Sequence, residues 1–467
     1  MQAVAARRPN EMMVRAADAG PSIFRHAAVW SLRALLAVVV LGTFAATPPD
    51  APRLTLGLEV GRGALHGDFT SVGWLGAALT AMLHDASGFG ALTGFCGLTI
   101  VVALALVEMR ARTRAGEVLS LVAAVVAAFA FLDFMHVCAA ALVVVLERAT
   151  GYRILFAIPI AVVWCNVSPD GVLAAPLATL VALGRTFEGG LRSRRTQIAW
   201  LAAAGCTLAM LATPLVAAYP AAALEAARFD RDLLGIVALN PRDVAPMGYR
   251  SAFLAIVLFF GVAGVRGRRI EDTLLLVFAV ALTFVNGAAL PLLAIVGVPV
   301  MAYTLSKVAP QFYAPPSRRG GWTDALIAGV AIVLAFGFAA GSNTKVRAPW
   351  PERVSPAALI AEAAAGGRSH RLFCATIEWC DYALSYPNLS AFADGRLERL
   401  TLAGRDAQRS VMRARAGWKA TLAAAHVDTI LARRGDALSS LLSLDPGWDL
   451  ADADAAAVLY VRSGASR

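Results

Sequence analysis

Long apolar stretches separated by short arginine clusters make up the first three quarters of the chain. The clusters lie at 110–114, 185–195 and 266–269. Several of the apolar stretches approach the 20 or so residues that a helix needs to cross a bilayer. Hydrophobic residues occupy 58% of 467 positions and charged residues only 16%, which is more apolar material than one soluble core can hide. The sequence therefore predicts an α-helical polytopic membrane protein.

The positions of the arginines predict which end of each helix faces the cytoplasm, because cytoplasmic loops carry an excess of Lys and Arg. When the N-terminus is placed inside, every cluster that follows a helix falls on the inner side. The two long loops, 48–86 and 219–248, then fall outside together with the tail. This predicts about eleven transmembrane helices within 1–342, the first uncleaved. The net charge of +10 arises from the same clusters, so no nucleic-acid partner is expected.

Two pairs of short helices are predicted between the arginine clusters. The stretch 118–146 is too long for one span and is broken by Asp133 and His136, so two helices are expected there. Helices at 152–165 and 169–183 are expected to turn at 166–171, where Asn, Ser, Pro, Asp and Gly interrupt the apolar pattern.

The tail, 343–467, has the composition of a soluble domain. Its prolines at 349, 351 and 356 indicate a linker, and amphipathic stretches with helical and strand periods then alternate. This pattern predicts a small α/β domain on the outer, periplasmic side. The predicted elements are a helix at 355–365, strands at 371–377 and 389–393, a helix at 406–425, and strands at 429–432 and 456–462.

The six cysteines show no metal-binding spacing. Cys374 and Cys380 lie in the tail, where an oxidising compartment would allow them to form a disulfide. A strand running between them would instead hold them apart.

The first outer loop supplies the candidate general bases. Asp50, Glu59, His66 and Asp68 lie within it, and a carboxylate there could accept a proton from an acceptor hydroxyl. The alternative is that these side chains serve solvation and turn capping.

Further candidate binding residues flank the outer ends of other helices. Trp164, Asn166 and Asp170 could hold a sugar or a diphosphate-bound cation, or the last two could cap helices. Arg242 in the second outer loop suits a lipid phosphate, or else pairs with Asp243. No soluble-enzyme motif is present, and no ligand spacing implies a metal, so the cofactor stays unknown, with a divalent cation left open.

The order of these segments resembles a known family. The first outer loop reads Leu-Glu-Val-Gly-Arg at 58–62 and Gly-Asp-Phe-Thr at 67–70, and Trp-Cys-Asn closes a helix at 164–166. In the tail, 378–384 resembles a Trp-Gly-Gly-Tyr-Leu element and 392–396 a strand that ends in Asp-Gly-Arg. This organisation is similar to that of bacterial membrane glycosyltransferases of the GT-C fold, which use polyprenyl-phosphate-linked sugars.

The resemblance implies an enzyme of the bacterial inner membrane. Its donor would be a polyprenyl-phosphate-linked sugar, its acceptor a periplasmic glycan, lipid or protein of unknown identity, and its base Asp68 or Asp50. Arg53 stands where the family usually has an Asp, and 164–169 lacks the family's His and Gly. A degenerate, non-catalytic member that binds a lipid-linked glycan or a partner enzyme is therefore the alternative.

Overall fold

The computed structural model describes residues 31–40, 51–128, 136–224, 257, 269–285, 289–308, 356–365, 370–396 and 402–464. Nine helices precede the tail in this part of the chain. They are α1 (Ser31–Val40), α2 (Ala51–Leu65), α3 (Trp74–Ala128), α4 (His136–Arg148), α5 (Ala157–Val167), α6 (Ala174–Gly189), α7 (Arg194–Ala209), α8 (Ile270–Val285) and α9 (Leu290–Val308).

Helix α3 is not one straight rod. Gly88 and Gly116 interrupt it with φ values of 71° and 82°, in the left-handed region that glycine adopts without steric cost. The break at Gly116 follows the arginine cluster at 110–114, and α4 lies beyond 129–135, which is outside the described residues. This agrees with the predicted pair of helices between the clusters.

Short 3₁₀ turns shape the next helix pair. Gly151–Phe156 leads into α5, and Pro169–Leu173 leads into α6. Proline suits the start of the second turn, because its missing N–H would have no helical partner there. The predicted turn at 166–171 is thereby confirmed.

Within the described ranges, three helices are long and apolar enough to cross a membrane: Gly90–Ala128, Pro169–Gly189 and Leu290–Val308. A fourth span results if Arg194–Ala212 and Val216–Leu224, bent by 112°, count as one. A mainly helical protein with a small C-terminal sheet is confirmed, whereas eleven spans are not.

Two opposite ends of the helical part can be distinguished. Tyr152, just before α5, lies beside Arg110, Arg194 and Arg269, and we call this the arginine end. Asn166, at the far end of α5, lies beside Trp74 of α3, and we call this the loop end. Described members of all three arginine clusters therefore meet at one end, as expected if the clusters share one side of a membrane.

The tail forms a five-stranded sheet with the order β2-β1-β3-β5-β4. The inner strands β1 and β3 are parallel to each other, and β5 is antiparallel to both β3 and β4. Separate apolar clusters cover the two faces of the sheet. The strands are β1 (His370–Cys374), β2 (Leu389–Ala391), β3 (Thr429–Arg433), β4 (Trp448–Ala453) and β5 (Ala457–Arg462), and the helices are α10 (Ala357–Ala365), α11 (Ile377–Ala383), α12 (Leu402–Met412), α13 (Trp418–Ala424) and α14 (Ala437–Leu442).

Two tail predictions are corrected. The predicted helix 406–425 is two helices, because the chain turns after Met412 and Gly417 adopts φ 88° at the start of α13. The first predicted strand ends at Cys374, and Ile377 begins a helix. Strand β4 was not predicted, since all but its first residue are exposed and its two Asp residues, three positions apart, do not give a strand period.

Cys374 and Cys380 form a disulfide with a Cα–Cα distance of 5.7 Å. No strand lies between the two cysteines. Strand β1 ends at Cys374, and Cys380 lies in the following helix, α11. The bridge, and not the separated arrangement, is therefore what the fold contains. The proposed domain boundary near residue 343 falls outside the described residues and stays a prediction.

Candidate active site

The turn between α2 and α3 fixes the orientation of Asp68 at the loop end. Gly67 adopts φ 96°, and the backbone N–H of Asp68 donates to the carbonyl of Gly63 at 2.9 Å. Asp68 Oδ1 accepts from the Thr70 hydroxyl at 2.6 Å and from the Thr70 backbone N–H at 3.3 Å. Asp68 is half-buried, and Phe69 and Thr70 beside it are exposed. A carboxylate is thus held in one orientation at an accessible surface.

Asn166 connects this turn to the end of α5. Its Oδ1 accepts from Trp74 Nε1 at 2.8 Å, and its Nδ2 donates to the carbonyls of Val162 at 2.9 Å and Ala212 at 3.2 Å. Asn166 is also buried. Its amide therefore joins three segments of the chain, so the residue has a structural role.

Two glycines allow the start of α3 to approach α5 this closely. A Cβ on Gly76 would lie 2.4 Å from the Val167 carbonyl oxygen, and one on Gly73 would lie 3.1 Å from the same atom. The Phe69 and Trp74 rings also meet edge to face at 4.9 Å. Packing thus holds the Asp68 turn against the mouth of α5.

Ser168 caps the turn into α6. Its Oγ accepts from the Asp170 backbone N–H at 3.2 Å, and Tyr219 donates to the Ser168 carbonyl at 3.0 Å. The side-chain cap that the structure shows at this turn is therefore Ser168, which the sequence did not single out. The side chain of Asp170 is exposed at the loop end.

The Trp164 side chain is not exposed at the mouth of α5. Its side chain is 2% exposed and belongs to the apolar core of the helices. The indole therefore packs between helices, and the structure gives no support to the predicted sugar contact.

Glu59 belongs to a surface charge network that sequence reasoning missed. Arg62 Nη2 lies 2.9 Å from Asp85 Oδ1, Arg62 Nη1 lies 3.7 Å from Glu59, and His84 lies 3.1 Å from Asp85. The hydrogen bond from Arg62 lowers the pKa of the Asp85 carboxyl to about 2. This network joins α2 to the first part of α3 and keeps a negative charge at the loop end. His66 is exposed nearby, whereas Asp50 and Arg242 lie outside the described residues.

The tail domain contacts the loop end through α11, which packs on α2. A Cβ on Gly395 would lie 2.5 Å from Leu56 Cδ2 and 2.9 Å from Asp381 Oδ2. The Gly395 N–H donates to Asp381 Oδ1 at 2.7 Å. Burial raises the pKa of the Asp381 carboxyl well above its usual range. The glycine of the Asp-Gly-Arg sequence therefore has a definite role in this contact.

The other two residues of that sequence are paired locally. Arg396 Nε donates to both Asp394 carboxylate oxygens at 3.0 Å, and the Arg396 N–H donates to Asp394 Oδ1 at 2.9 Å. These hydrogen bonds between Asp394 and Arg396 thus stabilise the turn itself. The described residues contain no group of three or more His, Cys, Asp or Glu side chains that could hold a metal ion.

The fold is that of the GT-C glycosyltransferases. The chain is similar to the oligosaccharyltransferase AglB of Archaeoglobus fulgidus, solved with an inhibitory peptide and a dolichol-phosphate. The match has a TM-score of 0.51 and 10% identity, and it covers 89% of this chain and 70% of that one. A second structure of the Archaeoglobus fulgidus enzyme, solved with Zn and sulfate, matches with a TM-score of 0.50 and 13% identity over 93% and 73% of the two chains.

The arabinofuranosyltransferase AftD from Mycobacteria also matches, with a TM-score of 0.47 and 15% identity over 94% of this chain and 40% of that one. No protein-family model matches the sequence, and the comparison with curated proteins finds no similar sequence. The two Archaeoglobus fulgidus matches confirm the resemblance to GT-C enzymes at the level of the fold.

Proposed function

We propose that this protein is a membrane glycosyltransferase that moves a sugar from a polyprenyl-phosphate donor to a periplasmic glycan, lipid or protein acceptor. The observation that carries the proposal is the GT-C fold along 89% of the chain. The similar enzyme was solved with a dolichol-phosphate, which supports a lipid phosphate as the leaving group here. The donor's hydrocarbon tail would lie among the apolar helices.

Direct displacement is the proposed reaction. Asp68, with Asp50 as the other candidate, accepts the proton of the acceptor hydroxyl while the hydroxyl oxygen attacks the anomeric carbon. The bond between that carbon and the donor phosphate oxygen breaks, and the polyprenyl phosphate leaves with the electron pair. Inversion at the anomeric carbon follows from a single displacement. The hydrogen bonds from Thr70 orient Asp68 for this role.

The remaining loop residues are proposed to bind substrates. Asp170 and His66 are exposed at the loop end and Glu59 is half-buried there, so all three can accept hydrogen bonds from sugar hydroxyls. Arg242 is proposed to neutralise the leaving phosphate, since guanidinium forks match phosphate oxygens.

The proposed location is the bacterial inner membrane, with about eleven spans, the N-terminus inside, and the loop end and tail in the periplasm. The Cys374–Cys380 disulfide supports this orientation, because disulfides persist in oxidising compartments. The gathering of the arginine clusters at the opposite end supports it independently.

A second candidate function is binding of a lipid-linked glycan or a partner enzyme without catalysis. The engagement of Asn166 by Trp74 and two backbone carbonyls favours it, since both donors of this buried amide are already used within the protein. The two functions differ in whether the Asp68 carboxylate is required.

The deciding experiment is glycan and lipid-linked-sugar profiling of cells that lack the protein. Complementation uses the wild type and an Asp50→Asn, Asp68→Asn double variant that is matched for expression. Accumulated donor lipid and a truncated glycan, corrected by the wild type alone, are expected for the transferase. Correction by both proteins would support the binding function or exclude these two bases.

A further inference from the structure

The arginine end contains a cavity of about 790 Å³ that the proposed reaction at the loop end does not use. Among the described residues, six arginines line it and Glu147 is the one carboxylate that does so. They are Arg110, Arg114, Arg148, Arg194, Arg195 and Arg269.

The arginines at the floor of the cavity are paired with carboxylates of the protein. Arg110 Nε donates to Glu147 at 2.5 Å, and Arg110 Nη1 donates to the Ile295 carbonyl at 2.6 Å. Arg114 pairs with Asp272 at 2.6 Å. The side chains of Arg110, Glu147 and Asp272 are each 1% exposed. Because these charges compensate each other within packed helices, they form a fixed base and not the binding groups.

The rim carries positive charge that the described residues do not neutralise. Arg148, Arg194 and Arg195 are exposed, and within the described ranges none has a carboxylate at ion-pair distance. Arg194 lies over the Tyr152 ring at 5.3 Å and donates to its hydroxyl at 3.1 Å. Three guanidinium groups around one opening repel each other, so an anion bound between them would relieve an electrostatic cost.

The cavity opens beside an apolar surface. Tyr152, Phe156, Phe187 and Leu191 are each more than 60% exposed near the same end of α5, α6 and α7. Exposed aromatic and aliphatic side chains next to arginines are typical of the region where lipid headgroups meet water. Basic pockets between helices in that region bind the headgroups of anionic lipids.

We propose that this cavity binds a phosphate group through Arg148, Arg194 and Arg195. Guanidinium groups bind phosphate oxygens with two parallel hydrogen bonds, and the cavity has room for a headgroup. The apolar rim favours a membrane lipid as the source of the phosphate over a soluble anion. This site lies at the opposite end from the proposed reaction.

The test uses the delipidated full-length protein in detergent, titrated with phosphatidylglycerol, phosphatidylcholine or inorganic phosphate and followed by native mass spectrometry and thermal unfolding. The test variant is Arg194→Gln with Arg195→Gln. The matched control is Arg153→Gln with Arg192→Gln, which removes the same charge from exposed positions at the same end that do not line the cavity.

We expect phosphatidylglycerol to bind more tightly than phosphatidylcholine, with a loss of about tenfold or more in the test variant and wild-type affinity in the control. Inorganic phosphate that binds as tightly as the lipid would identify a soluble phosphate as the source. Equal affinity in all three proteins, or equal losses in both variants, would overturn the proposal. If the test variant does not fold, Arg148→Gln serves in its place, and wild-type affinity in that variant would overturn the proposal equally.

Discussion

At the residue scale, neighbouring polar side chains at the loop end differ in how accessible they are to a substrate. The Asn166 amide hydrogen-bonds to Trp74 and to two carbonyls, so replacing it would leave buried partners unsatisfied. The Asp68 carboxylate accepts two hydrogen bonds from Thr70 and stands at an accessible turn. A reaction base must be both oriented and reachable, and Asp68 meets both conditions.

Asp68→Asn is expected to reduce sugar transfer by about a hundredfold or more, because an amide cannot accept the hydroxyl proton. The measurement is turnover of a lipid-linked sugar by the purified protein. Asp449→Asn, on the exposed strand β4, is the control and should retain full activity. Unchanged turnover in Asp68→Asn would remove Asp68 from the proposed mechanism.

The raised pKa of the Asp381 carboxyl predicts how the stability of the protein depends on pH. Since burial raises its folded pKa above the unfolded value of about 4, its contribution to stability is greatest at low pH and is lost as pH rises through the folded pKa. Asp381→Asn keeps an acceptor for the Gly395 N–H and carries no charge. The variant is therefore expected to be at least as stable as the wild type near neutral pH and to depend less on pH above about 4.

Thermal unfolding of the full-length protein across this pH range measures the effect. Asp449→Asn should follow the wild-type curve. A variant that loses stability at neutral pH would show that the Asp381 charge is stabilising, which is the opposite of the expected effect.

At the element scale, contacts between α2 and the tail connect the first outer loop to the soluble domain. Helix α11 packs on α2, and the turn at Gly395 lies against Leu56. The disulfide holds α11 to the end of β1. The position of α2, and hence of the Asp68 turn that follows it, therefore depends partly on the tail.

Gly395→Ala is expected to destabilise this contact by about 1–3 kcal/mol, because the new methyl group would overlap Leu56 and Asp381. Proteolysis of the tail and thermal unfolding would report the loss, and Leu56→Ala in the same chain should restore part of it. Gly57→Ala in α2 is the control, since its methyl group would meet nothing within 4 Å. If Gly395→Ala leaves proteolysis and thermal unfolding unchanged, the tail and α2 do not contact each other as described.

Removing the disulfide with Cys374→Ser and Cys380→Ser is expected to cost about 2 kcal/mol, the value for a short closed loop. Denaturant unfolding of the tail measures it, and a reductant should bring the wild type to the same midpoint. A reductant without effect on the wild type would contradict the bridge.

At the scale of the whole molecule, the two ends of the helical part have opposite character. The arginine end holds six arginines around one cavity, and the loop end holds Asp68, Asp85 and Asp170. The positive-inside rule then predicts that the arginine end faces the cytoplasm. Donor chemistry and the proposed phosphate-binding cavity would face different compartments.

Single cysteines test this orientation in intact cells. His66 is exposed at the loop end and Arg192 at the arginine end. His66→Cys should therefore react with a membrane-impermeant maleimide, whereas Arg192→Cys should react only after the membrane is permeabilised. The wild type, whose four free cysteines are buried or half-buried, is the background control. The reverse labelling pattern would place the loop end inside the cell.

The sequence by itself determined that this protein is mainly helical and rich in apolar helices, and it predicted their orientation in the membrane. Apolar stretches need lipid, arginines cluster at one end of helices, and local periodicity was enough to predict most helices, the turn at 166–171 and several strands of the tail. Such properties depend on residues close in sequence, so they can be inferred without tertiary contacts.

Only the tertiary structure decided which candidate residues are available for chemistry. Trp164 became a core residue, Asn166 a structural link to Trp74, and Ser168 the capping residue, because each depends on partners from other segments. The packing of Gly395 on Leu56 and the cavity between distant arginines arise in the same way. Whether a side chain can contact a substrate depends on its neighbours in the folded protein, and the sequence pattern does not show which residues these are.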